Sequence, residues 1–375
     1  MVKGWEFSLL VCAVGIASSA ACSSSGVPAS NDGGATTSCA NAPTVEDTSL
    51  QQCSSCSTSA ACTSQEPLQA CCTWVAQPHD ALADGINLHR YSTTNPNATP
   101  DLSCLTAAPA GLGTPQMVTL TGYVWLFSSG VDSQGVNVDV YAENTPTTPD
   151  GSIGATPLGS GTFTTTAMSP IDPVDTTWNS KCPNGCSYRQ YTITNIPTET
   201  PLVIKTSDAG SGQWATLYDY NIYFPNSQVQ NGSVSYDATA VAGPDLNTVA
   251  GTVGLTIQSG MGVLAGEVHD CSDIRLSGAT VETAPGGSVQ SHEGPMFYFT
   301  TDESNPLPSL EAADTSDLSL FGALNLQPGS PLRVTALGQD PANAGQFLML
   351  GTYVVQVYSG AVTAISLRGR RPWQP

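Results

Sequence analysis

From Met117 to the C-terminal region, apolar and polar residues alternate with a period of two. In "VNVDVY", Val136, Val138 and Val140 share one face. In "YDYNIYF", Tyr218, Tyr220, Ile222 and Phe224 share one face, and Asp219 and Asn221 point the other way. This period marks strands buried on one side, the pattern of a β-sandwich. Helical signals are confined to two short stretches. "TSQEPLQACCTWVAQP" places Thr63 and Glu66 at capping-box spacing, with Pro67 tolerated in the first turn. "GPDLNTVAGTVG" offers Pro244 to the first turn of a short linking helix.

The strand-like region contains an internal repeat. "VTLTGYVW", with Gly122, matches "GVLAGEVH", with Gly266. "QGVNVDVY" matches "SGATVETA", and "TNIPTETPLVIKT" matches "LNLQPGSPLRVTA" with Asn195/Asn325, Pro201/Pro331 and Leu202/Leu332 in step. "YDYNIYF" matches "GTYVVQV", and "GSVSY" matches "GAVTA". All five pairs keep their order, so the chain holds two copies of one β-unit, residues 115–240 and 256–372. "PAGLGTPQ" reads as the linker that precedes the first copy.

The second copy resembles the carboxypeptidase regulatory-like family, a transthyretin-like β-sandwich. The residues that carry the likeness are Gly266, Val268 and Asp270, then Gly278-Ala279-Thr280-Val281, then Phe321, the turn Pro328-Gly329 and "LRVTA". Leu320 stands where that family usually has Gly, and "TDESNPLPSLEAADTSD" is longer than its usual loop. The first copy keeps Gly122, Val124 and "GVNV". The resemblance implies an accessory sandwich without an active site of its own. The whole layout also resembles secreted or lipid-anchored proteins of soil bacteria such as myxobacteria. The fold class expected is mainly β: two transthyretin-like or Ig-like β-sandwich domains preceded by a small disulfide-rich, partly helical module.

The first residues change the picture of where such a protein works. "MVKGWEFSLLVCAVGIASSAAC" carries Lys3, an apolar run from Leu9 to Ala17 and then small residues. The run is too short to cross a bilayer and suits a signal peptide over residues 1–21. Small residues before Cys22 resemble the bacterial lipoprotein signal, in which the Cys is lipidated. Ser19 replaces the Leu usual in that signal, and Ser19-Ala20-Ala21 also suits an ordinary signal peptidase. Residues 22–38 read as a flexible tether. The expected location is therefore exported and anchored by lipid to the outer membrane, facing the periplasm or the cell surface.

An exported chain is an oxidising-compartment chain, so its cysteines are read as disulfides first. Beyond Cys12 and Cys22 there are Cys39, Cys53, Cys56, Cys62, Cys71, Cys72 and Cys104, which staple a module over residues 39–112, and Cys182, Cys186 and Cys271. A zinc site from Cys53, Cys56, Cys71 and Cys72 with His79 or His89 is the competing use of the same spacing. In "CPNGC" the Asn184-Gly185 turn suits pairing of Cys182 with Cys186. Seven cysteines then remain in the module, an odd number. Full oxidation requires Cys271 to reach back, and Cys104 lies nearest along the chain.

Charge narrows the partners. Ten Lys and Arg stand against thirty Asp and Glu, a formal charge of −20. That excludes nucleic acid and disfavours anionic lipid surfaces. An envelope protein or a polysaccharide remains as partner, with the membrane reached through the lipid.

Candidate chemistry is sparse. "EVHDCSD", with Glu267, His269, Asp270, Cys271 and Asp273, reads as the end of a strand and a hairpin turn, because Asp and Ser side chains bond their own backbone. His292-Glu293 could extend it to a metal site, but no spacing brings them together. No Gly-x-Ser-x-Gly elbow, metalloprotease spacing or Asp-x-Asp-x-Asp-Gly loop occurs. Trp125, Trp178, Trp214 and Tyr223 could stack on a sugar, although alternate aromatics in a sandwich usually fill a core. The function expected is a non-enzymatic envelope module for binding or structure, with no cofactor, no metal and no catalytic residue. A secreted hydrolase or a carbohydrate-binding module is the alternative.

Overall fold

In the computed structural model, strands β1 (His89–Arg90), β2 (Met117–Leu126), β3 (Val136–Ala142), β4 (Gly159–Ser160), β5 (Thr162–Phe163), β6 (Ala167–Met168), β7 (Ser187–Pro197), β8 (Leu202–Asp208), β9 (Trp214–Ile222), β10 (Ser233–Ser235) and β11 (Ala238–Ala242) precede helix α1 (Gly243–Thr252). After it come β12 (Gly262–Val268), β13 (Leu276–Ser277), β14 (Ala279–Pro285), β15 (Met296–Phe299), β16 (Pro308–Ser309), β17 (Leu320–Leu326), β18 (Pro331–Gln339), β19 (Phe347–Gln356) and β20 (Ala361–Leu367). The structure describes residues 88–373 except 93, 96–97, 106–110, 128–132, 145–150, 164–166, 169–186, 286–295, 301–306, 311, 313, 343–346 and 370. All of these fall within one compact unit, Thr37–Pro375. The expected helix over residues 63–78 and most of the stapled module lie outside the described residues.

The chain is mainly β, and both copies of the repeat make the same pairings. In the first, β2 runs antiparallel to β7 and parallel to β10 and β11, while β3, β8 and β9 form the facing layer. In the second, β12 runs antiparallel to β17 and parallel to β20, while β14, β18 and β19 form the facing layer. Details repeat as well. Both opening strands shift register against their antiparallel partner, at Val118/Leu120 and at Gly262/Leu264. The partner strands carry Asn195 at φ 61° and Asn325 at φ 60°. Asn reaches this left-handed region more cheaply than most side chains, so it suits the extra residue of a bulge.

Between the facing layers lie two cores. Val118, Leu120, Val124, Val136, Val138, Ile193 and Ile204 fill the first. Leu264, Val268, Val281, Phe321, Val334 and Ile365 are among those that fill the second. The copies also share a sheet, because β9 of the first pairs in parallel with β20 of the second. Alternation along β9 fails at one point. Asn221 was expected on the polar face, but at φ 65° it turns inward and is 3% exposed. Its side chain donates to the Ser366 carbonyl and accepts from the Arg371 Nε, each at 2.6 Å. That hydrogen bonding offsets the cost of burying an amide.

The linking helix forms where Pro244 predicts it, with Pro in the first turn. Leu246, Val249 and Ala250 pack with Leu217, Val263, Leu324 and Val362 on the outer face of the second copy's sheet.

Candidate functional site

"EVHDCSD" forms the end of β12 and a tight turn. His269 bridges Arg275, and the Asp270 N–H donates to the Ile274 carbonyl at 2.8 Å. Asp270 builds the turn: its Oδ1 accepts from the Ser272 and Ile274 N–H groups at 2.9 and 3.0 Å. Asp273 supplies the left-handed residue, φ 66°. The remaining Asp270 oxygen faces another part of the chain. Oδ2 accepts from the Asp101 N–H at 3.0 Å and lies 3.2 Å from the Arg90 Nε. The buried carboxylate is thus fully used, one oxygen building the turn and the other holding Arg90 and Asp101 against the second copy.

The imidazole of His269 sits between two carboxylates. Nε2 lies 2.7 Å from Glu267 and Nδ1 2.8 Å from Asp273. Arg368 pairs with Asp273, and the Arg275 Nε is 3.8 Å from Glu267. Burial pushes the His269 pKa down, but the bonds and charges of Asp273 and Glu267 outweigh it and lift it to about 9. Burial likewise pushes Glu267 up, and the His269 bond with the His269 and Arg275 charges leaves it lowered. Doubly bonded and cationic, the ring has no lone pair with which to accept a proton. It serves as a bridge in an ion network.

The pH dependence follows from the sign of that shift. A raised folded pKa gives stability that is complete below the unfolded value near 6.5 and is lost as pH rises through about 9. The stability lost in His269→Gln should therefore be about 2 kcal/mol at pH 6 and shrink toward zero by pH 10. Urea unfolding of both proteins across that range checks it; a pH-independent difference would contradict the charged bridge.

Glu267 also borders a recess on the outer face of the same sheet. Cross-strand pairing sets Phe297, Gly322, Ala265, Ala364 and Asp219 in one row over β15, β17, β12, β20 and β9. Side chains directly paired share a face, so the row has a phenyl ring at one end, almost nothing in the middle and a carboxylate at the other. The flanking row is Val263, Val362 and Leu217, which α1 covers. On the other flank Glu267 pairs with Leu320 and Ser366. The result is a cavity of about 270 Å³, close to the lower end of the range for small-molecule sites. Phe127, Leu246, Val249 and Phe299 wall it, and Tyr236 and Asp219 stand at its polar end.

Asp219 is the unusual member. Its Oδ2 accepts from the Tyr236 hydroxyl at 2.5 Å, while its Oδ1 has no hydrogen-bond partner among the described residues. Burial raises its pKa to about 6, with the Tyr236 bond opposing, Glu267 adding to the rise and Arg368 opposing weakly. No cation among the described residues pairs with it.

Cys104 and Cys271 form a disulfide with Cα atoms 5.6 Å apart. Cys22, Cys39, Cys53, Cys56, Cys62, Cys71, Cys72, Cys182 and Cys186 lie outside the described residues, as do His79, Trp178, His292 and Glu293. His89 lies in β1, paired with Ser277. Two of the proposed sugar-stacking aromatics are engaged within the fold. The Trp214 indole donates to the Gln134 carbonyl at 3.0 Å, and Tyr223 packs on Trp373 at 5.2 Å and donates to Glu199. Among the described residues no three His, Cys, Asp or Glu side chains are grouped to hold a metal. Sequence reasoning placed Asp219 only on a polar face and missed the recess. The small residues that shape it come from three strands and align only in the folded register: Gly322 seats the Phe297 ring, and Ala265 and Ala364 leave the space beside it.

Comparison with known proteins adds little. No family model matches the chain. No curated protein matches it either. Among solved structures, the shaft pilin spaA from Lactobacillus rhamnosus GG is 12% identical, with a TM-score of 0.20 over 68% of this chain and 100% of that one. A streptococcal ancillary pilin is 10% identical, with a TM-score of 0.19 over 67% and 68%. A major pilin of Streptococcus pyogenes is 12% identical, with a TM-score of 0.15 over 68% and 100%. Scores of this size are too low to carry a statement about what this chain does.

Proposed function

We propose that this chain is a non-enzymatic binding module of the cell envelope, exported by its N-terminal segment and tethered by lipid at Cys22, with its two β-units acting as sandwich domains. The observation that carries the binding part is the recess beside Asp219. It is apolar, open to solvent, and set on a sheet whose other face is a packed core. Rigid placement of this kind lowers the entropy cost of holding a ligand. The occupied His269 ring fits the same reading, because a bridge between two carboxylates is a poor general base.

A neutral fluorescent probe tests the binding part. N-phenyl-1-naphthylamine should brighten on the full chain, and Ala364→Leu, which fills the middle of the recess, should abolish the rise. Equal brightening in the variant would sink the reading. The tether is tested separately, by mass spectrometry of the mature protein from its native envelope. A diacylglyceryl-modified Cys22 at the N-terminus is expected, and an unmodified start elsewhere removes the anchor.

A further inference from the structure

We propose that the recess takes a small molecule with an apolar body and one protonated amine, the amine seated on Asp219. This deepens the binding reading above and rests on it. The chemistry follows from what each end of the recess offers. Phe297, Phe127 and Phe299 present ring surface, and Ala265 and Ala364 leave room above the sheet for a compact apolar group. The other end offers hydrogen-bond acceptance and negative charge. Asp219 Oδ1 is open, and a half-buried carboxylate without a cation is costly in an apolar wall. A ligand ammonium would supply the missing charge and the missing donor together.

The neighbouring charges do not supply that cation. Glu267 is bound to His269 and close to Arg275, and Asp273 is bound to His269 and Arg368. Both carboxylates of the network are thus engaged within it, and none of its three cations forms an ion pair with Asp219 among the described residues. Asp219 is left as the acid of the recess. Tyr236 donates to its other oxygen and orients it. An alcohol of the same shape could donate a hydrogen bond but bring no charge. Both ligands would donate to a carboxylate, but only the ammonium adds a charge–charge attraction, which the low-dielectric apolar wall strengthens, so the recess should prefer the amine.

The experiment compares phenethylamine with 2-phenylethanol and octylamine with 1-octanol on the full oxidised chain at pH 7.5, by ligand-observed NMR and calorimetry. Each amine should bind at least tenfold tighter than its alcohol. Asp219→Asn, which keeps an acceptor for Tyr236, should remove that preference and leave alcohol binding in place. Ala364→Leu should weaken all four. Equal affinity of amine and alcohol in the wild type overturns the inference and needs no variant to read. So does tighter binding of acetyl-lysine methylamide than of octylamine, which would assign the recess to a partner protein. Failure of the amines with N-phenyl-1-naphthylamine still bound removes this inference alone. Failure of every probe removes the binding reading with it, and NMR detection of a converted amine would replace the module by an enzyme.

Discussion

Replacing Gly122 or Gly266 by alanine is expected to cost about 3 kcal/mol each, large for the addition of one methyl group. The two glycines hold equivalent positions in the repeat, each on the opening strand of its copy beside a parallel neighbour. A Cβ on Gly122 would lie 1.7 Å from the Tyr236 carbonyl oxygen. That carbonyl also accepts the Tyr191 hydroxyl at 2.6 Å, so moving it breaks a second contact with a fully buried ring. A Cβ on Gly266 would lie 2.3 Å from the Ile365 carbonyl oxygen and 2.4 Å from the Phe321 ring. The nearest obstacle to each is a backbone carbonyl rather than a side chain that could swing away, so the strands themselves must separate. Gly232→Ala is the contrast. There φ is 76° but nothing lies within 4 Å, so only the left-handed conformation is penalised, at about 1–2 kcal/mol. Urea midpoints of the three variants should fall into those two classes. A Gly122→Ala protein as stable as Gly232→Ala would show that β2 and β10–β11 are not packed as described.

Those glycines were visible in the sequence as matched positions, and the reason lies in chemistry that is local to the strand. A period of two, a positive-φ glycine before β3, β10, β14 and β20, and an Asn in a bulge are properties of a few neighbouring residues. They survive in a linear reading. The hairpin character of "EVHDCSD" was legible for the same reason, since Asp270 bonds N–H groups two and four residues ahead. What could not be read is which strand edges meet. Nothing local tells β9 to pair with β20, and that pairing alone sets Asp219 in line with Ala364 and Ala265. Asn221 shows the converse. Alternation placed it on the polar face, but a buried Arg371, 150 residues away, bonds its side chain and backbone and holds it inside.

Breaking the Cys104–Cys271 bond, by Cys104→Ser with Cys271→Ser, should lower stability by about 3–5 kcal/mol, as the chain-entropy account of a long closed loop suggests. The loop spans 167 residues. The bond is also the centre of a local interface, which makes the loss larger than loop entropy if the interface opens with it. The Cys271 N–H donates to the Asp101 carbonyl at 2.9 Å, and the Ser272 hydroxyl donates to the Asp101 carboxylate at 2.6 Å. That bond, the Ser103 contacts and the Arg90 charge hold the Asp101 pKa at about 2 against a small burial penalty. Leu88 inserts against Gly338, where a Cβ would lie 2.3 Å from its Cδ2, and the Arg90 guanidinium meets Asp270. Even the glycine at 369 belongs to the device, because a Cβ there would lie 2.3 Å from the Cys104 sulfur. Hydrogen exchange separates the two contributions. If the disulfide only closes a loop, the serine pair should lose global stability while the Cys271 amide stays protected up to global unfolding. If it also clamps residues 88–105, that amide and those of residues 101–104 should exchange through local opening well below it. The shared hydrogen bonds predict the second outcome, and a wild-type-like midpoint for the serine pair would contradict both.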